Sequence, residues 1–394
     1  MSAPTAGPRF TPPPYPYDRL AELSRLAAVH GDDAVDLSIG TPCDPPPDAV
    51  VSVLGSSGAE RGYPTATGSP AMRQAAAAWV ERRFEVAVDP AHVAACVGTK
   101  ELVATAAWLL RLGRPHLDTV LCPAVAYPTY AMGAQLAGCR VVGVPPAPDG
   151  SLDLAAVAAD DSRRALLLWV NTPANPTGAL DDLGAAAAWG RARGVPVFSD
   201  ECYAEFTWTG PPRTIVAHGT DGVVAVHSLS KRSNLAGARV GCYLGDPALV
   251  AELAELRRHV GLMVPGPVQA AAVVAWDDDA HVDRQRERYR RRLGRLAGAL
   301  ASAGVDAAMP GGGFYLWVPV PADWEGADGW DLARALARGA GVVASPGDLY
   351  GEPVASHVRV AAVAPDERIE ALARRLERLG AAGLAGARHG GDDR

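Results

Sequence analysis

Between residues 228 and 239 the chain reads Ser-Leu-Ser-Lys-Arg-Ser-Asn-Leu-Ala-Gly-Ala-Arg. Ser228 and Ser230 flank Lys231, and Arg239 follows the lysine by eight residues. Hydroxyls and a guanidinium gathered in one turn are donors for a phosphate. A lysine among them can reach an aldehyde on the same ligand, so the stretch reads as a site of amine chemistry rather than a loop with a solvated lysine. Composition sharpens the point: of 37 basic residues only Lys100 and Lys231 are lysine, and the other 35 are arginine. Where a positive charge suffices this chain uses arginine. The two lysines are therefore candidates for what a guanidinium cannot do, which is to lose a proton and attack a carbonyl.

Other residues of the right types sit at the ends of apolar runs. Asp200, in Phe198-Ser199-Asp200-Glu201-Cys202-Tyr203, is a carboxylate where open α/β sheets bind ligands, although alone it could be a helix cap. Asn171 to Gly178 (NTPANPTG) follows another run and, as a bare pattern, is a Pro/Gly turn. Gly98-Thr99-Lys100-Glu101 closes a strand and opens a helix, presenting free backbone N–H groups to an anion. Lys100 stays open between a substrate carboxylate and solvent. Tyr127, in Ala126-Tyr127-Pro128-Thr129-Tyr130, reads as a core or turn aromatic. Arg359 lies inside the apolar pattern His357–Ala361; buried there, it needs either a structural carboxylate or an anionic ligand.

These residues need elements to hold them. Apolar runs Val93–Val97, Val120–Cys122, Val141–Val144, Ala165–Val170, Val195–Ser199, Val223–Val226 and Val240–Leu244 alternate with helix-like segments. That texture predicts an α/β fold with a mostly parallel sheet covered on both faces. Helices are expected over Ser69–Arg83, opening on an N-cap serine and a first-turn proline, and over Glu101–Arg111 and Leu180–Arg193. After about residue 280 an Arg-laced helix (His281–Ala303), two apolar runs (Phe314–Val320, Val358–Val363) and a helix over Asp366–Leu379 read as a smaller α+β lobe. The expected division is a large domain over 46–280, a small one from 1–45 and 281–380, and a polar, Gly-rich, disordered tail over 381–394.

A net charge of −7 argues against a nucleic-acid partner or a polybasic membrane surface. The six cysteines contain no C-x-x-C pair and the nine histidines no metal-ligand spacing, which fits a reducing cytoplasm and no metal. Prolines and tyrosines interrupt the first 20 residues and the uncharged window Thr119–Cys139, so neither reads as an export signal or a membrane span. Gly311-Gly312-Gly313 is no P-loop, because no Gly-Lys-Ser/Thr follows.

The segment S-x-S-K-x-x-x-x-x-G-x-R resembles the cofactor-attachment motif of class I aminotransferases, the fold-type-I enzymes of pyridoxal 5'-phosphate (PLP). The likeness runs over roughly residues 13–380 and implies that family's seven-stranded, mostly parallel sheet between helices, with a smaller α+β domain. It implies that Lys231 carries the cofactor and shuttles a proton, while Ser228, Ser230, Arg239 and the Gly98-Thr99-Lys100 loop hold the phosphate. Asp200 would face the pyridine nitrogen, Tyr203 and Asn175 the ring oxygen, and Tyr127 would stack on the ring. Arg359 would fork onto the substrate α-carboxylate opposite Gly40. Tyr63, in GYPTATG, would reach the neighbouring subunit's cofactor in a homodimer with shared sites.

Longer stretches (DLSIGTP, GTKELVA, HSLSKRSNLAG, GLMVPGPVQ, GGGFYLW) resemble the N-succinyldiaminopimelate aminotransferases of actinobacteria. That likeness implies exchange of an amino group between glutamate and N-succinyl-2-amino-6-oxopimelate in the lysine pathway. Arg232 and Lys100 are then the candidates for the distal carboxylates, with Arg257, Arg258 and His259 behind them. The alternatives are an aminotransferase of other specificity, a PLP lyase on the same fold, or a regulator with an aminotransferase-like domain.

Overall fold

The apolar runs anticipated between residues 90 and 245 are strands in the computed structural model, which describes residues 10–388. In chain order β1 is Val35–Asp36, β2 Val93–Cys96, β3 Thr119–Pro123, β4 Arg140–Val144, β5 Ala165–Asn171, β6 Val197–Asp200, β7 Val223–Ser228 and β8 Gly241–Gly245. Then follow β9 Tyr315–Pro319, β10 Val342–Val343, β11 Ser345–Pro346 and β12 His357–Ala361.

Strands β2 to β8 form one seven-stranded sheet in the order β2-β8-β7-β6-β5-β3-β4. Every pairing among β7, β6, β5, β3 and β4 is parallel, and β8 alone runs antiparallel to its neighbours β2 and β7. Successive side chains of a strand face opposite sides. Val223 and Ala225 of β7 thus enter one core with Leu168 and Val197, while Val224 and Val226 enter the other with Trp169 and Phe198. Both faces are apolar because both are covered by helices, which is why these strands read as unbroken apolar runs rather than alternating ones.

The flanking helices start where the sequence marks them. Ser69 Oγ accepts from Met72 N at 3.2 Å and Pro70 opens the helix Pro70–Phe84. Helix Thr99–Gly113 opens directly behind β2, and Leu183–Arg193 is capped by Asp182, three residues beyond the expected Leu180. A third core surrounds the antiparallel sheet β11-β12-β9, helices Ala280–Ser302, Gly329–Ala340 and Asp366–Ala387, and the small parallel pair β1–β10. It packs Leu23 and Leu37 from the N-terminal segment with Leu293, Leu336 and Leu372.

The tail expected over 381–394 is partly corrected. The last helix runs on to Ala387 past a break at Gly380 (φ 61°), because Leu384 is fully buried in the third core and its alanine neighbours favour helix. Residues 389–394 lie outside the described residues. No helix among the described residues is long and apolar enough to cross a membrane, and none of their His, Cys, Asp and Glu side chains cluster as a metal site.

Candidate active site

The strand ends of the large sheet converge on a cavity of about 390 Å³. Lys231 lies on its floor, on the helical turn Leu229–Arg232 that follows β7. Ser228 caps that turn, its Oγ accepting from Ser230 N at 3.1 Å. The Lys231 amine donates to the Gly40 carbonyl. Burial pulls its pKa down to about 8, so far more of it is neutral at physiological pH than of an ordinary lysine.

Beside it, Asp200 at the end of β6 is 5% exposed and lines the same cavity. It accepts from Tyr130 Oη at 2.9 Å and from Cys202 N at 3.2 Å. Burial raises its pKa against the pull of those donors, and among the described residues it forms no ion pair. Asn171, whose role the sequence left open, braces this corner: its Nδ2 donates to the Asp200 carbonyl and its Oδ1 accepts from Asn175 N.

On the opposite wall Arg359, from β12, is 2% exposed. Its guanidinium lies 4.2 Å from the Tyr315 ring centroid and 4.7 Å from that of Tyr350. It donates to Asn175 Oδ1 at 2.7 Å and to the Ser38 carbonyl, and its Nε has no partner. Among the described residues it faces no carboxylate. A buried carboxyl and a buried guanidinium, neither of them in an ion pair among the described residues, thus share one cavity. Each is costly alone, so the cavity fits a ligand bearing both charges.

The remaining expected residues sort by wall. Thr99, Ser228, Ser230 and Arg239 gather at one end, with Arg239 Nη1 3.5 Å from Ser230 Oγ and the N-terminus of helix Thr99–Gly113 beside them. Gly98 lies just behind: a Cβ there would meet an Arg239 guanidinium nitrogen at 2.2 Å, and its φ of 73° already favours glycine. Tyr127, Asn175 and Tyr203 line the cavity. Lys100 is at the open side, 3.3 Å from Tyr15 Oη. Gly40 is required by packing, because a Cβ would overlap the Tyr315 hydroxyl at 1.9 Å.

Two expected residues are elsewhere. Tyr63 is 99% exposed and lines no part of this chain's cavity. Arg232 is not a pocket cation. Consecutive residues of a helical turn project about 100° apart, so with Lys231 in the cavity Arg232 points into the core. It is 2% exposed and paired there with Glu205 and Asp279. Arg257 is likewise buried, on Glu101, while Arg258 and His259 sit on Glu255 at the surface. The sequence reading missed Tyr130 and Tyr315, whose hydroxyl is 2.9 Å from that of Tyr203, and Tyr15 and Tyr17 at the mouth.

The protein-family model "Aminotransferase class I and II" matches residues 32–376. The chain is a class I/II aminotransferase. Its cofactor is PLP, as the fold and the relatives have it. The aminotransferase is 43% identical over 373 residues to the 4-dedimethylamino-4-oxo-anhydrotetracycline transaminase of Streptomyces rimosus, covering 92% of this chain and 99% of that one. It is 32% identical to the LL-diaminopimelate aminotransferase of Aquifex aeolicus, covering 93% and 97%. Among solved structures, the N-succinyldiaminopimelate aminotransferase of Mycobacterium tuberculosis superimposes with a TM-score of 0.79 at 28% identity, covering 92% of this chain and 97% of that one.

The cavity fits this cofactor on its own terms: an amine, a phosphate-sized group of donors and an unpaired carboxylate for a ring cation all face inward. When bound, PLP supplies an aldehyde for the lysine and an electron sink for charge developing at a substrate carbon.

Proposed function

We propose that the aminotransferase takes its amino group from an α-amino acid held by the carboxylate on Arg359, and that its substrate pair is N-succinyl-LL-diaminopimelate with 2-oxoglutarate. The carrying observation is Arg359 itself, a buried guanidinium that among the described residues has no counter-ion, in the cavity that holds Lys231. Lys231 attaches the cofactor and moves the proton at the substrate α-carbon. Asp200 keeps the ring nitrogen protonated, while Asn175 and Tyr203 hold the ring oxygen and Tyr127 covers the ring face. Ser228, Ser230, Arg239 and the Gly98-Thr99-Lys100 backbone take the phosphate. Tyr63, exposed on this chain, reaches the partner's site in a homodimer. Lys100 is left for a distal carboxylate. The large domain over 46–280 supplies the floor, and 1–45 with 281–380 the Arg359 wall.

The neutral amine is the reactive form of Lys231, and its depressed pKa sets a pH dependence. Below about pH 8 the ammonium is protonated and inert; above it the amine is free to attack. Cofactor uptake by cofactor-free protein, followed by the visible band, is expected to rise through about pH 8. A midpoint near the ordinary lysine value, about 10.4, would show that the amine is not desolvated.

A second substrate reading rests on the 43% identity to the anhydrotetracycline transaminase and on Arg232, which is committed to the core. With Lys100, among the described residues, the one cavity cation not assigned to cofactor or α-carboxylate, a bulky ketone acceptor competes with the doubly anionic distal arm of the succinylated substrate. Glutamate and N-succinyl-LL-diaminopimelate, added separately to PLP-loaded protein, decide between them. If each removes the visible band and 2-oxoglutarate restores it, the first reading stands. A response to glutamate alone discards the succinylated substrate and favours the second. A response to neither sinks both, and release of ammonia or carbon dioxide would then identify a lyase.

A further inference from the structure

Arg232 follows the cofactor lysine directly, and Glu205 lies two residues after Tyr203 and five after Asp200. Their side chains meet in the core behind the cavity, Nε to Oε1 at 3.1 Å, with Arg232 2% and Glu205 3% exposed. The remaining valences are filled with little slack. Arg232 Nη2 is 2.9 Å from Asp279 Oδ1, and Nη1 donates to the Ala275 carbonyl. Glu205 also accepts from Trp79 Nε1 at 2.8 Å and from Arg83 Nε at 3.0 Å. The guanidinium lies against a packed pair of indoles, 5.3 Å from the Trp79 centroid and 5.2 Å from that of Trp276, the two rings being 4.3 Å apart.

A buried ion pair is a poor device for stability alone. Its desolvation roughly cancels its attraction, and apolar side chains of equal volume often do as well. What an ion pair does better is fix register, because a bonded, planar guanidinium tolerates one geometry where a packed methyl tolerates several. The place of this pair matters in that light. The turn bearing Lys231 is four residues long, and among the described residues the Lys231 side chain has only the Gly40 carbonyl as a hydrogen-bond partner. Among the described residues the other ties to the segment carrying Asp200 and Tyr203 lie in the strand before the turn: Asp200 pairs with Val226, Glu201 N donates to the Val226 carbonyl at 2.9 Å, and His227 Nε2 is 3.3 Å from Glu201 Oε2.

We propose that Arg232 and Glu205 are positioning residues: their buried pair holds the Lys231 turn against the Asp200–Tyr203 segment and so aims the lysine amine. The proposal rests on the reading of Lys231 as the cofactor lysine. Arg232 touches neither substrate nor cofactor; it acts through the backbone of its neighbour. A misplacement of about 1 Å at a reacting group can cost on the order of 10²-fold in rate, so the effect belongs in amine reactivity and turnover rather than in substrate binding.

The test uses Arg232→Lys, Arg232→Met and Glu205→Gln in the full-length protein. Four readouts are taken: PLP uptake by cofactor-free protein, the pH midpoint of the visible band, kcat against KM for glutamate, and thermal unfolding. Arg232→Met is expected to slow uptake and kcat about 10- to 100-fold, to shift the band's pH midpoint, and to leave KM within about twofold. Arg232→Lys, which keeps the charge but not the fork, is expected to recover part of the loss. Glu205→Gln keeps the shape and removes the charge, and reports the same shifts if Arg232→Met does not fold. Variants that melt earlier yet keep wild-type uptake, pH midpoint and kcat would overturn the proposal and leave the pair a fold element. Wild-type protein that takes up PLP without linking it to Lys231, read by borohydride reduction and peptide mass, would instead overturn the underlying assignment.

Discussion

Lys231→Ala is expected to lower turnover at least about 10³-fold while leaving the protein folded. Proton transfer by a positioned side chain alone contributes about 10²–10⁴-fold, and no other amine lies beside Asp200 to replace it: Lys100 stands at the cavity's open side, engaged with Tyr15. The folded state loses little, because the lysine's one hydrogen bond goes to the Gly40 carbonyl and the amine is held there at a desolvation cost. Removing it can even raise the melting temperature of cofactor-free protein. Borohydride reduction followed by intact mass gives a direct check: wild type gains the mass of the reduced cofactor and the variant does not. A variant within tenfold of wild-type turnover would exclude Lys231 from the chemistry.

Arg359→Lys is expected to reduce kcat/KM for every amino donor by about 10²–10³-fold. Truncating one side of a buried charged contact costs about 2–5 kcal/mol, and 1.4 kcal/mol is a factor of ten. A lysine keeps the charge but gives up the planar fork and the stacking between the Tyr315 and Tyr350 rings. The loss should appear in KM first, since the carboxylate is held in ground state and transition state alike. Spectral titration with glutamate measures it. PLP uptake should change far less than kcat/KM, because Arg359 bonds none of the Ser228–Arg239 donors and meets the proposed cofactor residues through Asn175 Oδ1 at 2.7 Å. Equal losses for amino donors and for amines lacking a carboxylate would show that the arginine is structural.

Much of this cavity was legible in the sequence because its residues stand at strand ends, where local pattern and position coincide. Asp200 closes β6, Lys231 follows β7, and Asn175 follows β5, so reading the apolar runs also located residues that line the cavity. What stayed hidden is carried by contacts between distant segments. Tyr315 reaches Tyr203 across 112 residues and Tyr17 reaches Tyr350 across 333, and no local period encodes either. Tyr130 was within reach: three residues beyond Tyr127 at a helix start, it could have been assigned to the same wall. Arg232 failed for the opposite reason. Adjacency in sequence to the lysine suggested shared function, whereas helical rotation sends neighbours to different places. Gly40 lines the cavity, and it is the Tyr315 hydroxyl, far away in sequence, that excludes a side chain there.

The two lysines have a consequence for handling the protein. Both line one cavity, so every ε-amine of the chain faces the same 390 Å³. The outer surface is basic through guanidinium alone, and guanidinium does not condense with aldehydes at neutral pH. Excess PLP, other simple aldehydes and amine-directed labels therefore find only the cavity lysines and the α-amino group. In most proteins such reagents decorate the whole surface and report an average. Here a whole-protein stoichiometry is already a local measurement, and one lysine-to-arginine exchange at Lys100 would leave a single addressable ε-amine in the molecule.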